Sequence, residues 1–355
     1  MPGGVVDFLR AYFPVRSREP VIDAGRNRAA ASQVFEPVGL QDFLALEVPP
    51  REMLLAPILP ERSLSMLYAP RGIGKSWLGL TIGLAVSSGS SVLHWTAPRP
   101  RRVLFVDGEM LLTDLQSRLN LILAGLDTKI PVGGFGVLAA DQTEQGINLS
   151  SEEGQQELER HLDGVDLLIL DNLSTLLASG SEGASDAWLP MQNWLLRLRR
   201  KGVAVLLIHH AGVNGRQRGT SRREDALDTV IALRRPPDYS PEEGARFEIH
   251  LEKTRSMVGE GASPFEAAVE SFKTEGGKSA IRWMARDLKP SVFEQAATLF
   301  QEGRSVRQVK TILGISHGEA GRFRLRAAAE GLLEPGREDE GGEAESAPDE
   351  PYRLN

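Results

Sequence analysis

The sequence predicts an α/β fold built on a mostly parallel sheet covered by helices. Three observations predict it. Short apolar runs read as buried strands, helix-length amphipathic segments alternate with them, and 355 residues suit one large domain with a small appendage. The expected strands are 65–68, 103–107, 136–139, 167–170, 203–208, 229–233 and 246–253. In the last, Phe247, Ile249 and Leu251 alternate with polar residues, the pattern of a half-exposed strand towards one edge. Helices are expected after Gly74 and over 113–123, 151–162 and 188–200.

The flanks read differently. Residues 1–60 carry Pro14, Pro20, Pro37, Pro49, Pro50, Pro57 and Pro60 with little periodicity, so they are expected to be an arm and linker before a main domain over 61–290. Over 291–333 a helical module is expected, a helix-turn-helix. Ser305 caps one helix, Gly314-Ile315 makes the turn, and Ser316 caps a second helix carrying Arg322, Arg324 and Arg326. Val306, Val309, Ile312, Leu313, Ile315, Phe323 and Leu325 are spaced to form its core, with 292–300 as a third helix. The Gly/Glu-rich residues 334–355 read as a disordered acidic tail.

Composition narrows the function classes. The 41% hydrophobic and 25% charged residues are those of an ordinary globular protein. The chain has no cysteine, which excludes disulfides and thiolate metal sites. No apolar run approaches the roughly 20 residues of a membrane span, and the first residues lack an export signal, so a cytosolic protein without a membrane role is expected. The net charge of -7 belongs mostly to the tail, where eight acids face two arginines. Positive charge is clustered elsewhere, over 216–223 and 304–326, and such clusters decide phosphate binding more than the total does.

The chemistry gathers at three strand ends. Pro70-Arg71-Gly72-Ile73-Gly74-Lys75-Ser76-Trp77 follows an apolar run and opens a helix, where a phosphate-binding loop must sit. Gly72 and Gly74 let successive N–H groups face one point, Lys75 reaches the β- and γ-phosphates of ATP, and Ser76 ligates Mg²⁺. Ala69 stands where the usual pattern has its first glycine. The apolar run 167–170 ends in Asp171, placed to hold the water shell of the magnesium ion, and 103–106 leads into Asp107 and Glu109. The run 203–208 ends in His209 and His210, one of which is placed to contact the γ-phosphate.

With PRGIGKS, VLFVDGE, LLILDN, LLIHHAG, RGTSRREDALDTVIAL and LEKTR in this order, the chain resembles the RecA-like ring ATPases, and within them the plasmid RepA-type replicative helicases. The resemblance covers about residues 63–260 and implies a RecA-like sheet. It implies Glu109 as the catalytic base, with Asp107 as its rival, and His210 as the γ-phosphate sensor. It also implies that Arg255, accompanied by Lys253, acts in the ATP site of a neighbouring subunit of a homo-oligomeric, hexameric ring.

Arg216, Arg218, Arg222 and Arg223 lie in a glycine-rich loop after His210 that suits single-stranded DNA, since guanidinium groups on flexible backbone follow phosphates without reading sequence. The helix-turn-helix arginines suit duplex DNA. The reading is an ATP-hydrolysing ring motor acting on DNA, a replicative helicase of a plasmid or mobile element. Its rival is a regulatory or adaptor ATPase that binds DNA without unwinding it.

Overall fold

A computed structural model describes residues 37–126, 128–177, 188–212, 225–255, 260–288 and 290–333. They divide into two compact units, one reaching Asp287 and the other starting at Leu288.

The first unit begins with a short helix, α1 (Leu40–Leu44), and a small antiparallel hairpin, β1 (Met53–Leu55) and β2 (Leu59–Pro60). Next come β3 (Leu64–Ala69), α2 (Lys75–Ser88), a second small hairpin of β4 (Ser91–Val92) and β5 (Trp95–Thr96), β6 (Val103–Asp107) and α3 (Leu112–Gly125). They are followed by β7 (Phe135–Ala139), α4 (Glu152–Glu159), β8 (Leu167–Asp171), α5 (Leu173–Leu176), α6 (Trp188–Arg200) and β9 (Ala204–His210). The unit closes with β10 (Thr229–Arg234), β11 (Arg246–Thr254), β12 (Phe265–Lys273) and β13 (Ser279–Asp287).

Nine strands form one sheet in the order β13-β12-β11-β10-β3-β9-β8-β6-β7. From β10 to β7 all neighbours are parallel, while β11, β12 and β13 extend the sheet antiparallel. The parallel strands are apolar at successive residues because both faces are covered. Leu67, Phe105, Ile169, Leu206 and Ile231 point into one core with α2 and α3, whereas Met66, Leu104, Leu168, Leu207 and Val230 point into another with α4 and α6. Burying such side chains is worth roughly 1.5–3 kcal/mol each.

Helix α2 is apolar around its whole circumference and buried along nearly all its length. The sheet covers one side, and β13 reaches over it, where the Trp283 indole donates to Thr81 Oγ1 at 2.9 Å. Gly79 suits the close seat: a Cβ there would fall 2.3 Å from Ile208 Cδ1, which would have to turn aside. Since this helix carries the phosphate-binding loop at its start, the tight seat fixes the loop against the sheet edge.

Two expectations need correcting. β11 is not near an edge: it is third from one, with Phe247 and Ile249 buried, because β12 and β13 lie outside it. Those two strands went unread since Ala, Glu, Ser and Arg interrupt them and leave no apolar run. Nor is all of 1–60 an arm. Leu54, Leu55, Ile58 and Leu59 are buried in the main core, and two of the prolines that suggested a linker, Pro57 and Pro60, belong to a tight hairpin. Nearby, buried Arg101 bonds Asp166 at 3.2 Å, Glu61 at 2.8 Å and Glu52, clamping the hairpin to the amino-terminal ends of β6 and β8.

The second unit holds α7 (Val292–Gln301), α8 (Val306–Leu313) and α9 (His317–Ala329). Ser305 and Ser316 accept the backbone N–H groups of Gln308 (3.3 Å) and Glu319 (3.2 Å), and Gly314 ends α8 at φ 66°. Its small cores join Ala296, Phe300, Val309 and Ala320, and Phe293, Ala297 and Ala327. Ile312 and Leu325, expected in that core, are 54% and 74% exposed; their spacing turns them off the packed face. Residues 334–355, read as a tail, lie outside the described residues. Among the described residues no helix is long and apolar enough to cross a membrane.

Candidate nucleotide site

Parallel register brings the three chemical strand ends to one edge. Asp107 on β6 is level with Asp171 on β8, Asp171 with Ile208 on β9, and His210 with Ala69, the last residue of β3. The loop between β3 and α2 crosses the same edge. Gly72 (φ 72°) and Gly74 (φ 116°) hold left-handed conformations that other residues adopt at a cost, which turns the N–H groups of the loop inwards. Ala69, the departure from the usual pattern, sits in extended backbone paired with β9, where no glycine is needed. Ile73 is buried in the main core and Trp77 packs against it under the Arg118 guanidinium (5.1 Å), so these two can offer a phosphate only their N–H groups. Arg71 is exposed, and its charge is felt by Lys75.

Lys75 is 6% exposed, and its ammonium donates to the carbonyls of Ala69 (3.1 Å) and Pro70 (2.7 Å). Burial pulls its pKa down to about 8, opposed by the charges of Asp171 and Glu109. Asp171 is buried as well, and burial pushes its pKa up to about 7; a hydrogen bond from Ser76 opposes the rise, while Asp107 adds to it. One oxygen of this carboxylate, Oδ2, is buried with no hydrogen-bond partner. An orphaned carboxylate oxygen beside a serine hydroxyl at a phosphate loop is a hard-oxygen donor set, and it fits Mg²⁺ with its waters.

Beyond β6 the chain turns sharply. Asp107 accepts the N–H groups of Glu109 (3.0 Å) and Met110 (2.6 Å), and burial raises its pKa. Its Oδ1 is thus committed to the turn that presents Glu109, and Asp107 is buried where Glu109 is exposed, which makes Glu109 the better placed of the two rival bases. The Glu109 carboxylate is 60% exposed and accepts a hydrogen bond from the Asn172 amide; His210 Nε2 stands 3.9 Å from it. His209 is buried behind His210.

Three residues that sequence reasoning passed over belong to this neighbourhood. Asn172 is one. The others are Arg235, whose guanidinium donates to the Gly72 carbonyl at 3.4 Å, and Tyr239, on whose ring that guanidinium lies at 4.1 Å. Nothing local announces the pair, since both come from the turn between β10 and β11.

Other expected site residues lie elsewhere. Lys253 and Arg255 are at the opposite end of the strands: Thr254 pairs with Thr229, which pairs with Ser65, near the start of β3. At about 3.3 Å per residue, Ser65 lies roughly 13 Å from Ala69, where the phosphate loop begins. The Arg255 guanidinium donates to the Asp225 carbonyl at 2.5 Å. Arg216, Arg218, Arg222 and Arg223 lie outside the described residues. In the second unit, Arg322 and Arg326 share one face of α9 by their spacing, and Arg324 does not. Arg326 lies over the Phe293 ring at 4.0 Å and bonds Glu330 at 2.7 Å.

No curated protein matches the chain. Solved structures that it resembles include a KaiC-like protein of the hyperthermophilic archaeon Pyrococcus horikoshii OT3, at 13% identity over 62% of this chain and 90% of that one, with a TM-score of 0.42. Another is the RadB recombinase, at 16% identity over 64% and 92% of the two chains, with a TM-score of 0.41. A family described as an AAA domain, AAA_25, matches residues 30–216, more than half the chain and all three strand ends. The chain belongs to this family and is a P-loop ATPase.

Proposed function

We propose that the protein is a ring-forming motor of RecA-like type that hydrolyses ATP to act on DNA, a replicative helicase of a plasmid or mobile element. Hydrolysis is assigned as follows. The loop N–H groups and Lys75 hold the β- and γ-phosphates, and Ser76 and Asp171 hold the magnesium ion with its waters. When bound, that ion offsets the charge of the phosphates. Glu109 takes a proton from water as its oxygen bonds to the γ-phosphorus; the bond from that phosphorus to the bridging oxygen breaks, leaving ADP and phosphate. His210, beside Glu109 and level with the loop, senses the γ-phosphate. The Arg235–Tyr239 pair offers the nucleobase a flat face next to Gly72.

The observation that carries the ring is the place of Arg255. It stands at the end of the strands opposite its own Lys75, so a role in catalysis requires another copy's site, with Lys253 beside it. An arginine supplied in trans contributes on the order of 10³–10⁵ in rate. Arg216, Arg218, Arg222 and Arg223 are assigned to single-stranded DNA, and Arg322, Arg324 and Arg326 to duplex contact.

The test is hydrolysis and strand displacement by purified protein with and without single-stranded DNA. DNA should stimulate turnover, and ATP should drive strand separation. Changing the four loop arginines together to alanine should remove the stimulation. Arg255→Ala should lose at least about 10²-fold in kcat while still binding ATP. Protein that hydrolyses ATP without DNA stimulation or strand displacement, yet binds duplex DNA, favours the adaptor instead. That outcome ends the motor reading.

A further inference from the structure

The bond between Asn172 and Glu109 has a directional logic. Asn172 follows Asp171 at the end of β8, and its side chain is buried. Its Oδ1 accepts the backbone N–H groups of Ser174 (3.0 Å) and Thr175 (3.2 Å), capping α5. This fixes which way the amide faces: with the oxygen committed to the helix, Nδ2 must point away from it, and there it meets Glu109 Oε2. The backbone of Asn172 is anchored too, since its carbonyl accepts Thr175 Oγ1 at 3.0 Å.

Glu109 has no comparable restraint of its own. Its backbone N–H is held by Asp107, but its side chain is a long, exposed rotor beyond the strand end. Held by one oxygen, the carboxylate keeps the other, Oε1, for water. Around it stand Lys75 from α2, Asp107 from β6, Asp171 from β8 and His210 from β9. With Glu109 itself, three of these five titratable groups are carboxylates, so a neutral donor is the residue type that can grip Glu109 without adding a fourth. An aspartate at 172 would cap α5 equally well but repel the base.

The geometry points to Asn172 as the positioning residue of the catalytic base: it aims Glu109 at the attacking water, and so acts on turnover and not on ATP binding. This rests on Glu109 being the base. Misplacing a reacting group by about 1 Å costs up to 10²-fold in rate. Catalytic alignment, not nucleotide affinity, is therefore what an Asn172 variant should lose.

The test uses the full chain, with turnover measured at saturating ATP and single-stranded DNA and affinity measured by titration with a fluorescent ATP analogue. Asn172→Ser keeps a good helix cap but has no amide. It should lower kcat on the order of 10²-fold with affinity within about twofold. Asn172→Asp, which also keeps the cap, should do the same and serves if the serine variant fails to fold. Wild-type kcat in the folded variant, or affinity lost in step with kcat, overturns the inference. Glu109→Gln, run alongside, separates the two layers. If that variant still turns over, the base assignment itself is wrong; if it is inactive while Asn172→Ser runs at the wild-type rate, only the role of Asn172 falls.

Discussion

Lys75→Ala should abolish ATP hydrolysis, lowering turnover by at least about 10²-fold, the usual loss when a charge-stabilising donor leaves a transition state. The lysine is buried, and its ammonium donates to the carbonyls of Ala69 and Pro70. Both are weak, neutral acceptors, and a triphosphate arriving at the loop offers charged ones instead. Burial holds the pKa near 8, low for lysine, because the ammonium is poorly solvated. Alanine removes that buried charge, and Arg71, the nearest cation in the loop sequence, is exposed. Affinity for ATP should fall as well, which a titration with a fluorescent analogue reads, while circular dichroism should be unchanged.

Glu109→Gln should separate binding from chemistry. Glutamine is nearly isosteric with glutamate and its amide oxygen can still accept from Asn172, so the side chain stays where it is. It cannot take a proton from water. Loss of a general base costs on the order of 10²–10⁴ in rate, with ATP affinity expected within about threefold of wild type. Incubated with radiolabelled ATP and filtered, the variant should retain ATP, where the wild type retains ADP. A variant that turns over normally would move the base elsewhere, and Asp107, bound up in its turn, is a poor substitute.

Much of the parallel sheet was legible because a strand buried on both faces must be apolar at every position, and 103–106 and 167–170 are. The same condition placed Lys75, Glu109 and Asp171, since a parallel sheet collects its functional residues at the carboxyl ends of its strands. The outer strands were not legible. β12 carries Glu266, Glu270 and Lys273 among its apolar residues, and its strand character depends on pairing with β11 and β13. β1 and β2 hid behind prolines for a similar reason: Leu54 and Leu59 are buried by what packs on them, not by a local period. Asn172 read only as the residue after Asp171. Its partner lies 63 positions away, and no spacing rule spans that distance. Arg235 meets the phosphate loop across 163 positions of chain in the same way, and Tyr239 reaches it only through that guanidinium.

The measurement that bears most directly on this site is an experimental structure of the protein with Mg²⁺ and a nonhydrolysable ATP analogue. The γ-phosphate should lie against Lys75 Nζ, drawn off the Ala69 and Pro70 carbonyls, with the ion bound to Ser76 Oγ, Asp171 Oδ2 behind its waters and Glu109 facing the phosphorus. An analogue seated away from the Gly72–Gly74 turn, with Lys75 still bonded to those carbonyls, would contradict the account.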